Sequence, residues 1–206
     1  MGEIRKPIKK TAIAKRNKIV EKGFELICNK GYHNVNIKDI ALYADVSIGI
    51  IYQYFNDKKE IFLEGIKDYS ENIMYPIIKE LENDNINNIN EIIEKLFDSF
   101  LKAHQTFKTY HEQVMSISYT DNEIGQILYN SEIKATKLIS ELIRKEYYNI
   151  NNLEEKTHII IGLIDNYCHE IIYHKHNDIN YNIMKEELIK LIKYLLNIKE
   201  VNNDEI

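Results

Sequence analysis

Glycine and proline are scarce in this chain: seven glycines and two prolines occur among 206 residues. These residues mark most turns in β-rich proteins, so their scarcity favours long helices. Apolar residues recur at spacings of three and four along the chain, as in Ile92, Leu96 and Phe100, which is the period of an amphipathic helix. Strict alternation, the period of a half-buried strand, is not sustained in any segment. The sequence therefore predicts an all-α protein of about nine helices.

Local signals predict three helices in the first 57 residues. Apolar periodicity in the first helix ends just before Gly31, a residue typical of helix C-caps. Asn36 followed three residues later by Asp39 predicts a capped start for a second, short helix. Ser47 is a candidate cap for a third short helix.

Further helices are expected in the remainder of the chain, which asparagine clusters divide into apolar-periodic segments. These segments are 58–82, 90–108, 110–118, 122–148, 153–176 and 183–199. Pro76 predicts that the fourth helix ends or kinks there. We place a domain boundary between residues 57 and 58, giving an N-terminal three-helix domain (1–57) and a larger helical domain (58–206).

Charge is distributed unevenly along the chain. The formal net charge is −5, yet residues 1–60 contain twelve Lys/Arg against seven Asp/Glu, a net charge of +5. The rest contains fifteen against twenty-five, a net charge of −10. Residues 1–10 contain Arg5, Lys6, Lys9 and Lys10 and form a predicted basic arm, which Lys15 and Arg16 follow. A basic head on an acidic body indicates that the head meets a polyanion.

The second and third helices have the lengths and the short connection, Asp45-Val46-Ser47, of a helix-turn-helix. Such a unit buries one side of its second helix and leaves the other side free to enter a major groove. The side expected to face the core contains Val46, Ile50 or Ile51, and Phe55. The side expected to face outward contains Ile48, Gly49, Tyr52 and Gln53. Glycine is unfavourable inside a helix, so Gly49 indicates close approach of the backbone to another surface.

This region resembles the TetR family of bacterial regulators. The matching stretches are Ile37-Lys38-Asp39-Ile40-Ala41, Ala44-Asp45-Val46-Ser47-Ile48-Gly49, Tyr52-Gln53-Tyr54-Phe55 and Lys58-Lys59-Glu60-Ile61-Phe62. The chain departs from the family at Asp45, where glycine is common, and at Asn36, where threonine is common. Asp tolerates a left-handed backbone better than most residues, and Asn caps as well as Thr. The turn and the cap are therefore expected to survive.

The resemblance implies which residues contact DNA. Tyr52 occupies the position of a DNA-contacting tyrosine, Gln53 and Ile48 sit where the family reads base edges, and Gly49 lets the backbone approach. Gln can pair with adenine, and Ile can pack on a thymine methyl group. Phosphate contacts are expected mainly from Lys58, with further ones from the second helix. The predicted DNA-binding set is Asn36, Lys38, Ser47, Ile48, Gly49, Tyr52, Gln53, Tyr54 and Lys58.

The resemblance also implies that residues 58–206 form an effector-binding and dimerisation domain. The last two helices are apolar over more than one stripe, which indicates a second packing partner. Predicted dimer-interface residues are Ile160, Leu163, Ile164, Ile171, Leu188, Ile192 and Leu195. Predicted effector-pocket residues are Tyr75, Phe97, Phe100, His104, Tyr119, Tyr129 and Tyr167. A dimer places two recognition helices ~34–36 Å apart on a palindromic operator.

The expected function is therefore that of a cytoplasmic homodimeric repressor, repression being the family default, which a small, largely apolar effector releases from DNA. One alternative is a DNA-binding protein of the same fold that acts in chromosome architecture or division control without an effector. The other is an enzyme, but catalytic motifs are not recognisable: His169 and His174 are five residues apart rather than the four of a zinc-protease helix. We expect no cofactor, no metal site and no membrane segment. Cys28 and Cys168 match no disulfide or zinc spacing and are expected to be buried thiols.

Overall fold

The computed structural model describes residues 9–83 and 88–198, and for residues 72–83 it describes the backbone alone. Within these ranges the chain forms nine α-helices and no strand. The helices are α1 (Lys10–Lys30), α2 (Ile37–Tyr43), α3 (Ile48–Tyr54), α4 (Lys58–Asn83), α5 (Ile89–Thr106), α6 (Lys108–Ser118), α7 (Asn122–Glu146), α8 (Leu153–Tyr173) and α9 (Tyr181–Leu195). The all-α prediction is confirmed. The fourth helix does not end at Pro76, because α4 continues through that residue to Asn83.

The described residues divide into two compact units. The first unit contains residues up to 72 together with 109–129, and the second contains 73–108 together with residues from 130 onward. The first unit is larger than the predicted N-terminal domain, because the beginning of α4 and most of α6 pack with α1, α2 and α3. The expected boundary between residues 57 and 58 remains a prediction of where the DNA-binding part of the chain ends.

The core of the first unit is built around the aromatic side chain of Phe24 in α1. Its ring centroid lies 5.5 Å from that of Phe62 in α4 and 5.4 Å from that of Tyr110 in α6. Two glycines let the helices approach closely at this point. A Cβ atom built on Gly65 would lie 2.5 Å from Phe24, and one on Gly23 would lie 2.6 Å from Ile61. Substituents at either glycine would force these helices apart.

The second unit has its own apolar core, formed mainly by α5, α8 and α9. The ring centroids of Phe97 and Tyr167 lie 5.2 Å apart in an edge-to-face arrangement, which is a favourable geometry for aromatic pairs. The Tyr167 hydroxyl donates a hydrogen bond to the Tyr181 carbonyl, 3.2 Å away. Cys168 is buried here, and burial raises the pKa of its thiol to about 12. Cys28 of the first unit is a buried thiol of the same kind, with a pKa raised to about 12.

Candidate nucleic-acid interface

The start of α2 is fixed by a reciprocal cap. The Asn36 side chain accepts hydrogen bonds from the backbone N–H groups of Lys38 and Asp39, at 2.8 and 3.1 Å. In return, the Asp39 carboxylate accepts from the Asn36 backbone N–H, 2.9 Å away. Such a cap stabilises a helix by about 1 kcal/mol, which matters for a helix of seven residues. The sequence-based prediction of this cap is confirmed.

The turn between α2 and α3 depends on Asp45. Its φ of 54° is positive, a backbone region that disfavours most residues other than glycine, asparagine and aspartate. Directly after it, the Val46 N–H donates to the Ala41 carbonyl, 3.0 Å away. The left-handed conformation expected for Asp45 is therefore present. Ser47 stands at the N-cap of α3, but its side chain makes no capping hydrogen bond, so the predicted cap is wrong.

The two sides of α3 differ sharply in exposure. Ile51 is fully buried and Phe55, just after the helix, is 1% exposed. On the opposite side Ile48 is 39% exposed and Tyr52 is 55% exposed. Gly49 and Gln53 are also exposed. The structure therefore places Ile48, Gly49, Tyr52 and Gln53 on one accessible side, and it resolves the choice between Ile50 and Ile51 in favour of Ile51.

Gly49 has no steric role within the described residues of the chain. A Cβ atom added there would have the Ser47 hydroxyl oxygen, 4.0 Å away, as its nearest described neighbour. Glycine in a helix costs about 1 kcal/mol relative to alanine, and internal packing does not account for that cost. The exposed backbone at Gly49 remains available for close approach by another surface.

Lys58 connects the start of α4 to the segment between α1 and α2 within the first unit. Its Nζ atom donates to the backbone carbonyls of Tyr32 and Val35, at 2.5 and 2.7 Å. The ammonium group also lies 4.4 Å from the centroid of the Tyr32 ring. Burial lowers the pKa of Lys58. This network gives Lys58 a structural role that sequence reasoning missed, because both carbonyls belong to residues more than twenty positions away.

The basic residues predicted near the N-terminus differ in their contacts, and Arg5 and Lys6 lie outside the described residues. Lys9, Lys10 and Lys15 are exposed. Arg16 instead forms an ion pair with Glu64 of α4, and its guanidinium lies 4.7 Å from the centroid of the Phe55 ring. Arg16 therefore helps to hold α1 against α4 and against the end of α3. Of the remaining DNA-contact candidates, Asn36 and Lys38 at the start of α2 and Ser47 before α3 are exposed, and Tyr54, the last residue of α3, is half-buried.

The predicted effector-pocket residues do not all come together. Phe97, Phe100, His104 and Tyr167 are buried in the second unit. Tyr119 and Tyr129 belong to the first unit and are 80% and 57% exposed, so they face solvent rather than an enclosed space. The side chain of Tyr75 lies outside the described residues.

The predicted dimer residues also need correction. Ile160, Ile164 and Ile192 are at most 1% exposed within a single chain, so they pack in the core of their own subunit. Ile171, Leu188 and Leu195 are partly buried against that same core, and Leu163 is half-buried. The apolar side chains that point outward from α8 and α9 are Ile159, Ile183, Leu191 and Tyr194.

Comparison with known sequences now assigns the first unit. Residues 19–64, from the middle of α1 into α4, match the sequence profile of the bacterial regulatory proteins of the tetR family. Residues 19–64 are a TetR-family segment. This match contains the helix-turn-helix and its exposed α3 side, and it confirms the resemblance inferred from the sequence.

Two curated relatives are transcriptional regulators. HbdR of Aromatoleum sp. is 34% identical over 68 residues, which is 33% of this chain and 30% of HbdR. IcaR of Staphylococcus aureus, a negative regulator of the biofilm operon icaADBC, is 25% identical over 137 residues, which is 64% of this chain and 69% of IcaR. Both relatives are named as regulators of transcription rather than as enzymes.

The fold is similar to that of a solved regulator structure over a longer part of the chain than residues 19–64. A TetR-family regulator from Syntrophomonas wolfei superimposes with a TM-score of 0.65 at 21% identity, covering 93% of this chain and 99% of that structure. The chain therefore has the family's helical architecture in both units. Within residues 9–83 and 88–198, no helix is both long enough and apolar enough to cross a membrane.

Proposed function

We propose that this TetR-family protein is a homodimeric transcriptional repressor that binds a palindromic operator through α3 of each subunit. The observation that carries the proposal is the asymmetry of α3. Ile51 anchors the helix in the core, while Tyr52 is 55% exposed on the other side. A short helix held in this way can enter a major groove without losing its own packing.

Base recognition is assigned to the exposed side of α3. Gln53 offers an amide that pairs with the edge of adenine, and Ile48 offers a methyl surface for thymine. Gly49 allows the helix backbone to come close, and Tyr52 contacts the DNA beside it. Phosphate contacts position the unit but carry no sequence information. Asn36, Lys38, Ser47 and Tyr54 are the proposed phosphate-contacting residues, whereas Lys58 is proposed to support the unit through the Tyr32 and Val35 carbonyls.

The dimer is assigned to the outward apolar stripe of α8 and α9. Ile159 is 50% exposed, Leu191 is 42% exposed and Tyr194 is 78% exposed, so α8 and α9 both present apolar surface to solvent. Four such helices from two subunits would cover one another's stripes, which is how exposed apolar area is usually removed from water. Leu163 lies at the margin of this stripe.

Repression and effector release complete the proposal. IcaR is named a negative regulator, which supports repression. The effector is proposed to be small and largely apolar and to bind in the second unit near Phe97, Phe100, His104 and Tyr167. Such a ligand weakens DNA binding only if it binds the DNA-free conformation more tightly. The cytoplasm is the compartment where such a regulator meets its operator.

The test is DNA binding by the whole chain. Fluorescence anisotropy would measure its affinity for a duplex from the chain's own promoter region and for a scrambled duplex of equal length at the same salt concentration. The proposal expects tighter binding to the promoter duplex, and it expects Tyr52→Ala to weaken that binding at least tenfold. Tyr148→Ala removes an exposed tyrosine from the second unit, where Tyr148 is 79% exposed, and should leave affinity unchanged. Equal affinity for both duplexes at every salt concentration would overturn the proposal.

A further inference from the structure

Gly162 in α8 lacks the packing role that three other helical glycines of the chain have. A Cβ atom built on Gly23, Gly65 or Gly125 would lie 2.6, 2.5 or 2.9 Å from another part of the chain, so the absent side chain leaves room for a close contact. A Cβ atom built on Gly162 would have no described neighbour within 4 Å, apart from the adjoining residues and the backbone of its own helix. Glycine is unfavourable inside a helix, and packing within the described part of the chain does not account for Gly162.

Apolar side chains lie around Gly162 on the outward side of α8. Ile159, three residues earlier and therefore on the same side of the helix, is 50% exposed, and Leu163 is half-buried. On α9, Leu191 is 42% exposed and Tyr194 is 78% exposed. Because α8 and α9 both pack on one apolar core, their outward sides adjoin. Gly162 is therefore a depression in an exposed apolar surface.

A second copy of the chain is a partner that fits this surface. In a two-fold dimer the same surface of each subunit meets, so a contact between two different helices occurs twice. If α9 of one subunit lies on α8 of the other, the outward sides of both helices are covered in both subunits. Leu191 or Tyr194 of the partner subunit would then fill the depression at Gly162.

Charge favours α9 over a second α8 as the helix that lies on α8. The four carboxylates and one lysine of α8 give it a formal net charge of −3: Glu154, Glu155, Asp165, Glu170 and Lys156. The three lysines and two glutamates of α9 give it a formal net charge of +1, and one of those lysines, Lys185, pairs with Glu94 at 2.6 Å. Two α8 helices would bring like net charges together, which is unfavourable, whereas α9 opposes α8 without that repulsion.

We propose that Gly162 is the crossing point at which α9 of a second copy of this chain packs closely against α8. The missing side chain lets the two helix backbones approach there. The inference rests on the homodimer of the proposed function and adds which helices pair and where they come closest. It does not depend on DNA recognition by α3, so failure to bind an operator would leave it standing.

Cysteine cross-linking of the full chain tests which helices meet. Gly162→Cys is combined in turn with Glu187→Cys, Leu191→Cys and Tyr194→Cys, three exposed positions of α9. A disulfide requires Cα atoms within about 7 Å of each other. Oxidation should therefore give a covalent dimer on a non-reducing gel for at least one of the three pairs. Gly162→Cys alone should give none.

The native thiols do not interfere with this experiment. Cys28 and Cys168 are buried, and burial raises the pKa of each thiol to about 12. Near neutral pH they stay un-ionised, and the thiolate is the form that reacts. The introduced cysteines are exposed and oxidise first.

Three results would overturn the proposal. A covalent dimer from Gly162→Cys alone would place α8 against its own copy. Absence of cross-linking in all three pairs, while analytical ultracentrifugation still finds a dimer, would place the crossing point elsewhere. A monomeric unmodified chain would overturn both this inference and the proposed homodimer, so ultracentrifugation of that chain separates the two failures.

Added bulk at the crossing point gives a measurement that is independent of cysteine chemistry. Gly162→Leu introduces a better helix former with no described neighbour to displace, so circular dichroism should show unchanged helix content. The dimer dissociation constant from sedimentation equilibrium should rise by about tenfold or more, because an overpacked contact is destabilised. Glu141→Leu makes a similar change at an exposed residue of α7 and should leave that constant unchanged. An unchanged constant for Gly162→Leu would contradict the close approach.

Discussion

The Nζ atom of Lys59 lies 2.7 Å from Oδ2 of Asp121. The pair joins the first turn of α4 to the residue that precedes α7, within the first unit. Asp121 has a second task there, because its Oδ1 accepts from the backbone N–H groups of Glu123 and Ile124, at 3.0 and 3.3 Å. One carboxylate thus caps α7 and pairs with α4, and the two contributions can be separated by substitution.

Asp121→Asn should keep the cap and lose the ion pair, whereas Asp121→Ala should lose both. The hydrogen bond from Lys59 is the main cause that lowers the Asp121 pKa from its ordinary 3.8. The stabilisation is therefore present above pH 3.8 and is lost as the pH falls through the lowered value. Urea unfolding should show a mild loss for Asn and a further loss of about 1 kcal/mol for Ala. Identical unfolding curves for the two variants would contradict the cap.

Lys58→Met should lower the stability of the fold and leave the number of phosphate contacts with DNA unchanged. Removing Nζ leaves the Tyr32 and Val35 carbonyls without this donor, which typically costs about 1–3 kcal/mol per unsatisfied group. We expect a lower unfolding midpoint and an unchanged slope of log affinity against log salt concentration. Lys38→Met is the matched control, because an exposed phosphate-contacting lysine should reduce that slope by about 1 without destabilising the chain. The reverse pattern would restore the phosphate role to Lys58.

Gly49→Ala should raise stability and lower DNA affinity. The added methyl group would clash with none of the described residues, since the Ser47 hydroxyl oxygen lies 4.0 Å away, and alanine is favoured over glycine in a helix by about 1 kcal/mol. The same methyl group would stand between the α3 backbone and the DNA. Thermal unfolding and anisotropy on the promoter duplex should therefore move in opposite directions. Unchanged affinity would mean that the backbone at Gly49 does not approach the duplex.

Charged residues on the outward stripe should separate the subunits without unfolding them. The double variant Ile159→Asp with Leu191→Glu places carboxylates on side chains that are 50% and 42% exposed in one chain. Analytical ultracentrifugation should find a helical monomer that binds the operator weakly. Ile13→Asp alters a similarly exposed isoleucine of α1 and should leave the dimer intact, whereas Ile160→Asp should unfold the second unit. A stable dimer of the double variant would place the interface elsewhere.

Most predictions that depend on neighbouring residues are confirmed, although the capping hydrogen bond expected from Ser47 is absent. The Asn36–Asp39 cap and the left-handed Asp45 involve atoms within a few positions along the chain, so composition and spacing are enough to identify them. The buried and exposed sides of α3 also follow from helical period, since only one side is uniformly apolar.

Predictions that depend on distant contacts were weaker. In α8 and α9 apolar residues occur on several sides, so periodicity does not show which stripe the subunit covers itself. Ile160 and Ile164 were therefore assigned outward in place of Ile159. Lys58 illustrates the same limit: its two carbonyl partners are brought near only by the packing of α1, α2 and α4.

The contact between Phe24 and Gly65 has a consequence for how the chain can be divided. Phe24, Phe62 and Tyr110 form one aromatic cluster, but two of them lie beyond residue 57. A fragment that stopped there would expose Phe24 and leave Arg16 without Glu64. A fragment that keeps the recognition helix folded therefore has to include α4. Evolutionary exchange of DNA-binding domains between such proteins would have to transfer α4 as well.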